Sequence, residues 1–196
     1  MEMLSPDAEL ILEATDRRIR PMKRVEYEFL AKQGCFEDEK VELLFGMVVP
    51  MAPIDQAHGE SVSLIYEQLL RQLGERARVY CQTSFAASDE SVPEPDIFVV
   101  PPGSYWSELH TRSFLVVEVA RSSVRRDRVK RVVYGRAKVD EYWIVNHVDG
   151  CVEVYREPLN GSWQQMSVHR RGETLSPLAF PDVQIAIADI LPPVES

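Results

Sequence analysis

The most constraining feature of the chain is a nearly continuous apolar run, FLVVEVA over residues 114–120, which contains one acidic residue, Glu118. Such a run, without alternation of polar and apolar residues, is typical of a strand in a sheet that is covered on both faces. A carboxylate inside such a strand costs free energy unless another group pairs with it. The sequence therefore predicts a buried strand and a partner for Glu118.

A second acidic residue, Asp96, begins another strand-like run, DIFVV, 22 positions before Glu118. If the two strands lie side by side, both carboxylates meet at one point, where a divalent cation is a suitable partner. A turn-capping role for Asp96 and a salt bridge with an arginine for Glu118 are the alternatives. Lys130 follows on a predicted helix and could add a positive charge. Two acids and a lysine around a hard cation are the parts of a phosphodiester-cleaving site.

Basic residues are concentrated directly after the second of these strands. The chain carries a formal net charge of −9, yet six of its 22 lysine and arginine residues lie between positions 121 and 131, with Asp127 as the single acid. A local excess of positive charge on an acidic protein can bind phosphates. Arg125, Arg126 and Arg128 are therefore candidate nucleic-acid contacts, and a solvated helix face is the alternative.

The overall composition predicts a globular protein. With 196 residues, 45% of them hydrophobic and 27% charged, the chain is long enough to bury a core. Three widely spaced cysteines without a CxxC pair predict reduced thiols. Neither a signal peptide nor an apolar run of the ~20 residues that span a bilayer is found. These features predict a cytoplasmic protein without a membrane partner, with a loosely ordered leader over residues 1–21.

Local patterns predict helices beside a mixed sheet. Apolar spacing and capping residues predict helices over 25–33, 58–76 and 122–137. Strands are predicted as a pair within 41–51 that turns at Gly46, then over 79–87, 97–100, 114–120, 141–147, 151–157 and, as an edge strand, 163–168. The Asp149-Gly150 pair predicts a tight turn between two of these strands. The fold class is therefore α/β or α+β, with helices flanking a mixed central sheet.

Several short motifs resemble the PD-(D/E)xK nuclease superfamily and, within it, the Uma-two family. They are VELLFGMVVPMAPI followed by His58, PEPDIFVV, FLVVEVARSS, DRVKRVVYGRAKVDEYWIVN and FPDVQIAIADIL. Each motif is short, but together they occur in the order of the family. The resemblance extends over residues 22–191 and implies a single restriction-endonuclease-like domain there.

The resemblance implies a metal-dependent catalytic site. Asp96 and Glu118 would bind Mg²⁺ or Mn²⁺ together with the backbone carbonyl of Val119, and Lys130 would be the catalytic lysine. The usual place of that lysine, two positions after the glutamate, holds Ala120 in this chain. Because residues two apart on a strand share a face, Ala120 leaves a gap that Lys130 can fill from the helix.

Four further residues are expected to support the site, with structural roles as the alternative: Glu42, His58, Asp127 and Tyr134. Asp127, Lys130 and Tyr134 are three and four positions apart and share one helix face. This spacing favours Lys130 over its neighbour Arg131 as the catalytic residue, with Asp127 as its orienting partner.

The resemblance and the residues together predict a Mg²⁺- or Mn²⁺-dependent endonuclease that hydrolyses DNA. The resemblance also implies a homodimer. Two alternatives remain open from the sequence. One is a binding or interaction module that keeps the nuclease fold without the activity, which is favoured by Phe45 and Met47 at positions that are often acidic in the family. The other is a metal-dependent phosphodiesterase that acts on RNA or a small nucleotide.

Overall fold

The computed structural model describes residues 14–15 and 20–193, so most of the predicted leader lies outside the described residues. The described helices are α1 (Arg24–Lys32), α2 (Gln56–Leu73), α3 (Val124–Arg136) and α4 (Ile187–Ile190), with a 3₁₀ turn over Gly74–Arg76. The strands are β1 (Val41–Leu44), β2 (Met47–Pro50), β3 (Arg78–Cys81), β4 (Ile97–Val100), β5 (Arg112–Ser113), β6 (Leu115–Ala120), β7 (Lys138–Val139), β8 (Glu141–Asn146), β9 (Cys151–Leu159), β10 (Ser162–Arg170), β11 (Thr174–Leu175) and β12 (Ile185–Ala186).

The centre of the fold is a mixed six-stranded sheet with the strand order β10-β9-β8-β6-β4-β3. Strands β6 and β8 are parallel, and the chain crosses between them through α3. The other neighbouring pairs are antiparallel, including the β8–β9 hairpin that turns at Asp149-Gly150. The prediction of a mixed central sheet flanked by helices is confirmed.

The two faces of the sheet are covered by different helices. Alternate residues of β6 belong to different apolar clusters, with Val117 and Val119 packed in the cluster of α2 and Val116 and Ala120 in the cluster of α3. All six residues of β6 are buried, as expected of a strand without an exposed face. Because Glu118 alternates with Val117 and Val119, its side chain belongs to the α3 side of the sheet.

The predicted strand over residues 79–87 is wrong in its second half. Strand β3 ends at Cys81, and the next residue, Gln82, has a φ of 48°. Its N–H donates to the carbonyls of Pro95 and Asp96, each at 3.2 Å. This left-handed turn directs the chain out of the sheet, so the polar residues that follow Cys81 form a loop beside the predicted site.

Within the described part of the chain, no helix is long and apolar enough to cross a membrane. The three cysteines form no disulfide: Cys35 is exposed, Cys81 partly buried and Cys151 buried. The thiols are therefore free, as predicted.

Helix α3 is joined to the sheet through a buried acid, Glu153 on β9. The Nε of Arg128 donates to Glu153 Oε2 at 3.2 Å, and the hydroxyl of Tyr155 and the side-chain amide of Asn146 donate to the same carboxylate at 2.6 and 3.1 Å. Burial opposes ionisation of Glu153, but the hydrogen bonds from Arg128, Tyr155 and Asn146 outweigh it and lower its pKa. Glu153 is therefore a buried charge that depends on its partners.

We expect Arg128→Ala to lower the free energy of unfolding by about 1–3 kcal/mol, because it leaves Glu153 buried without a charged partner. Thermal or urea unfolding at neutral pH measures the change. Arg125→Ala is the matched control, since Arg125 is exposed on the same helix and has no salt bridge to any described residue. An equal effect of the two substitutions would contradict the structural role of Arg128.

Candidate active site

A cleft opens where β1, β4, β6 and the first turns of α2 and α3 converge. Of the residues predicted to act in catalysis, metal binding or support of the site, all except Tyr134 line this cleft: Glu42, His58, Asp96, Glu118, Val119, Asp127 and Lys130. These residues come from five separate elements or their ends, and the sheet brings them together.

Asp96 and Glu118 lie on the same side of the sheet. Strands β4 and β6 are antiparallel with Ile97 opposite Val117, so Asp96 and Glu118 occupy the next pair of opposed positions. Directly opposed residues of an antiparallel pair point to the same face. Both residues therefore line one cleft.

Lys130 lies between two buried carboxylates. Its Nζ is 2.9 Å from Glu42 Oε2 and 3.0 Å from Glu118 Oε1, and only 4% of its side chain is exposed. Burial opposes the positive charge, but Glu118, Glu42 and Asp127 together outweigh that cost and raise the pKa of Lys130. The neighbouring Arg131 is exposed, so Lys130 is the residue that faces the acids.

Glu118 is fixed by a second donor from α3. The hydroxyl of Tyr134 donates to Glu118 Oε1 at 2.7 Å, on the oxygen that also contacts Lys130. Burial raises the pKa of Glu118 well above its usual range; Lys130 lowers it in part, and the charge of Asp96 raises it further. An additional cation in the cleft would favour the ionised form of Glu118.

Asp96 is held by one donor on each side. Its Oδ2 accepts the backbone N–H of Val119 at 2.8 Å, and its Oδ1 lies 2.9 Å from Nε2 of His58 on α2. Burial lowers the pKa of His58, but the hydrogen bond to Asp96 and the charge of Asp96 raise it by more. His58 and Asp96 therefore form a pair whose attraction grows as His58 takes up a proton.

Asp127 does not contact Lys130 directly. Its Oδ2 accepts a hydrogen bond from Ser123 Oγ at 2.6 Å, and no salt bridge to Lys130 is found among the described residues. The expected orienting effect of Asp127 on Lys130 would thus act through space, by charge. Burial raises the pKa of Asp127 to about 6.

The carboxylate oxygens of the cleft are suitable ligands for a hard cation, although their present positions do not form a metal-binding cluster. Among the described residues, no group of three or more His, Cys, Asp or Glu side chains is placed to hold a metal ion. However, Oε1 of Glu42 is buried without a hydrogen-bond partner in the described part of the chain. Carboxylate oxygens are the ligands that Mg²⁺ prefers, so Glu42, Asp96 and Glu118 offer suitable chemistry.

The rim of the cleft is basic. Lys40, Arg121 and Arg126 line it. Arg121 pairs with Asp55 at 2.6 Å, and Arg126 donates to the carbonyl of Pro50 at 3.0 Å. Both arginines thus connect the start of α3 to the loop that follows β2.

The predicted nucleic-acid contacts have different surroundings. Arg126 lines the cleft, Arg125 is exposed on the same helix, and Arg128 is paired with Glu153. Sequence reasoning missed Lys40, because a single lysine at the end of a charged stretch carries no distinguishing pattern.

Asp127 makes the stability of the protein dependent on pH. Because its pKa is raised from 3.8 to about 6, the folded chain binds a proton that the unfolded chain has lost. Stability from this group is therefore present at low pH and is lost as pH rises through about 4 to 6. We expect Asp127→Asn to raise the free energy of unfolding at pH 7–8 by on the order of 1–3 kcal/mol, and to have little effect near pH 4.

Urea unfolding across this pH range measures the difference between Asp127→Asn and the unmodified protein. Asp38→Asn, at an exposed position, is the control and should leave the difference near zero. A benefit of Asp127→Asn that is the same at pH 4 and pH 8 would contradict the raised pKa.

Known proteins share the sequence pattern and the fold of this chain. The profile of the Uma2 family, described as "Putative restriction endonuclease", matches residues 26–188. None of the curated proteins matches the sequence. The crystal structure of "a putative nuclease belonging to DUF820 from Anabaena variabilis ATCC 29413" is similar, with a TM-score of 0.67 and 15% sequence identity; the match covers 87% of this chain and 97% of that chain. Since the family profile spans most of the sequence and the fold agrees, the chain belongs to the Uma2 family.

Proposed function

We propose that the protein is a divalent-metal-dependent endonuclease that hydrolyses phosphodiester bonds of DNA. The observation that carries this proposal is the position of the Lys130 ammonium group between Glu42 and Glu118, in the cleft that Asp96 also lines. Membership of the Uma2 family supports the same activity.

Asp96, Glu118 and the backbone carbonyl of Val119 would hold Mg²⁺ or Mn²⁺. Glu42 would assist through Oε1, for which the described residues offer no hydrogen-bond partner. When bound, such a cation lowers the pKa of a coordinated water and neutralises charge on the phosphate. Tyr134 and His58 would keep the carboxylates of Glu118 and Asp96 in place through their hydrogen bonds.

Lys130 would act on the water and the phosphate. An ammonium group has three N–H donors, and two of them are directed to Glu42 and Glu118. The third can donate to a phosphate oxygen or orient the attacking water. The two carboxylates keep the group charged, because they raise the pKa of Lys130. A fixed donor of this kind stabilises the charge that develops in the transition state.

Arg125, Arg126 and Arg128 would bind the DNA backbone beside the cleft. For Arg128 a phosphate contact competes with the salt bridge to Glu153, so Arg125 and Arg126 are the stronger candidates. We further propose a homodimer, which would suit cleavage of both strands, and a cytoplasmic location.

The alternative function is a nuclease-fold module without activity. It is favoured by one observation: Lys130 already gives both Glu42 and Glu118 a cationic partner, so neither acid is buried unpaired when no metal ion is bound. Metal binding and turnover separate the two functions.

We expect the protein to nick supercoiled plasmid with Mg²⁺ or Mn²⁺, and Lys130→Met to lower the rate by about 10²–10³, as the loss of one electrostatic contact does. Asp96→Asn should abolish cleavage because it removes a ligand charge. Calorimetric titration with Mn²⁺ should show binding to Lys130→Met but not to Asp96→Asn.

Arg131→Ala is the matched control, since this exposed residue neighbours Lys130, and its rate should stay within a few-fold of the unmodified protein. Circular dichroism verifies that each variant folds. If the unmodified protein neither cleaves plasmid nor binds Mn²⁺, the nuclease proposal is wrong and the protein is a nuclease-fold module without activity. Cleavage of RNA but not of DNA would replace the proposed substrate.

DNA affinity should depend on salt through the arginines of α3. The protein is acidic overall, so phosphate contacts must come from local basic groups. Each neutralised phosphate contributes roughly −0.9 to the slope of log K against log salt, so the double substitution Arg125→Ala, Arg126→Ala should flatten that slope by about 1.8. Fluorescence anisotropy over a salt series provides the measurement.

Arg71→Ala is the control, because Arg71 is exposed on α2 and lies 13 positions from His58, or about 20 Å along the helix. An unchanged slope in the double variant would place the DNA-binding surface elsewhere.

A further inference from the structure

A second concavity adjoins the cleft. It lies between α1, β1 and the loop over residues 101–111, and we name it the α1 groove. Lys40 and Glu94 line both the cleft and the α1 groove, so the two are adjacent. A nucleic-acid strand bound in the cleft would therefore have its neighbouring nucleotides close to the groove.

The two concavities differ greatly in size. The cleft offers about 80 Å³, whereas the α1 groove offers about 840 Å³. Pockets that take small organic ligands typically measure ~300–1,000 Å³. The cleft has room for a phosphate group and an ion, but the bases next to that phosphate must lie outside it.

Trp106 stands at the edge of the α1 groove with its indole in solvent. Its exposed fraction is 98%, while the next most exposed large apolar side chain among the described residues, Val148, reaches 67%. The loop is anchored on both sides of it: the Tyr105 hydroxyl donates to the carbonyl of Pro101 at 2.9 Å, and Leu109 packs against the cluster of Tyr27. A fixed loop thus holds a large aromatic ring away from the core, which forfeits the free energy of burying it.

The lining of the groove combines hydrogen-bond acceptors with aromatic rings. Tyr27 and Phe36, which both line the groove, stack with ring centroids 5.3 Å apart. Glu37, Glu39 and Glu108 line the sides. Carboxylates repel phosphates, but they accept hydrogen bonds from the exocyclic amino groups of bases. The acidic and aromatic part of the groove therefore matches nucleobases, and the basic residues that also line it, Arg24, Lys32 and Lys40, can contact phosphates.

We infer that the α1 groove binds one or two unstacked nucleobases next to the phosphate in the cleft, with one base stacked on the indole of Trp106. This inference rests on the proposed nuclease function and specifies its substrate: a strand with unpaired bases beside the cleaved bond, as in single-stranded DNA, a bulge or a frayed end. Lys40, at the junction, is placed to contact the phosphate that joins the two regions. Base stacking on aromatic side chains is the usual way in which proteins hold unpaired bases.

Binding is measured by anisotropy of labelled oligonucleotides, with Ca²⁺ in one series and EDTA in another, so that affinity is recorded without turnover. The probes are a single strand, the blunt duplex of the same sequence, and that duplex with a bulge. We expect Trp106→Ala to weaken binding of the single strand and the bulged duplex by on the order of 5- to 100-fold, the range for loss of one stacked base. Affinity for the blunt duplex should change by less than about twofold.

Tryptophan fluorescence gives a second readout. Trp143 is fully buried and Trp163 is partly buried, so a ligand that covers an indole acts mainly on Trp106. The single strand should quench the emission of the unmodified protein and leave that of Trp106→Ala unchanged. Phe29→Ala is the control, because Phe29 is an exposed aromatic residue on α1 that lines a different concavity; its affinities should equal those of the unmodified protein.

The outcomes separate this inference from the nuclease function. If the unmodified protein binds DNA and Trp106→Ala binds every probe equally well, the base-binding role of the groove is overturned while the nuclease proposal stands. If the unmodified protein binds no probe with Ca²⁺ or with EDTA, both proposals fail. If Trp106→Ala instead abolishes self-association and leaves DNA affinity unchanged, the groove is a contact between copies of the chain and the inference is overturned.

Discussion

The structure depends on the neutralisation of acids that are buried inside a sheet. Glu118 lies in a strand without an exposed face, Glu42 is buried on β1, and Lys130 contacts both from α3. An isolated charge in this environment would be strongly unfavourable, and removing one member of a buried ion pair costs far more than the pair contributes. The position of α3 on the sheet is therefore coupled to the charges in the cleft. The same three groups supply the negative and positive charges on which the proposed chemistry depends.

A second buried acid, Glu153 on β9, contacts the same helix but has a structural role. Glu153 is paired with Arg128, and its further donors, Tyr155 and Asn146, satisfy its remaining acceptor capacity. These contacts anchor the helix to the sheet. The cleft differs because one oxygen of Glu42 has no hydrogen-bond partner within residues 14–15 and 20–193. The interface between α3 and the sheet thus contains two kinds of buried acid. Glu153, whose oxygens accept hydrogen bonds, anchors the helix, whereas Glu42 belongs to the candidate metal site.

The sequence predicts which residues lie together at the centre of the cleft, because burial and periodicity are local signals. Apolar runs around Asp96 and Glu118 identify acids that must be paired, and helical spacing selects Lys130 over Arg131. What it cannot predict is which distant residue completes each pair. Glu42 and Lys130 are 88 positions apart, and only the packing of β1 against the edge of the cleft brings them together.

Loops were less predictable than the sheet for a related reason. The strand expected over residues 79–87 ends at Cys81, because a left-handed residue, Gln82, turns the chain where the residue pattern gives no indication of it. Trp106 and the α1 groove lie in segments without periodicity, where position depends on a few anchoring contacts such as that of Tyr105 with Pro101. Helix and strand positions follow repeating patterns, whereas these loop positions follow individual hydrogen bonds.

The separation of the cleft residues along the chain also has a consequence for biosynthesis. Glu42, Asp96 and Glu118 all leave the ribosome before Lys130 does, and β8, which pairs with β6, follows later still. A growing chain thus carries its acids for some time without the cation that allows them to be buried. The charged centre therefore cannot form on a nascent chain until Lys130 has been synthesised.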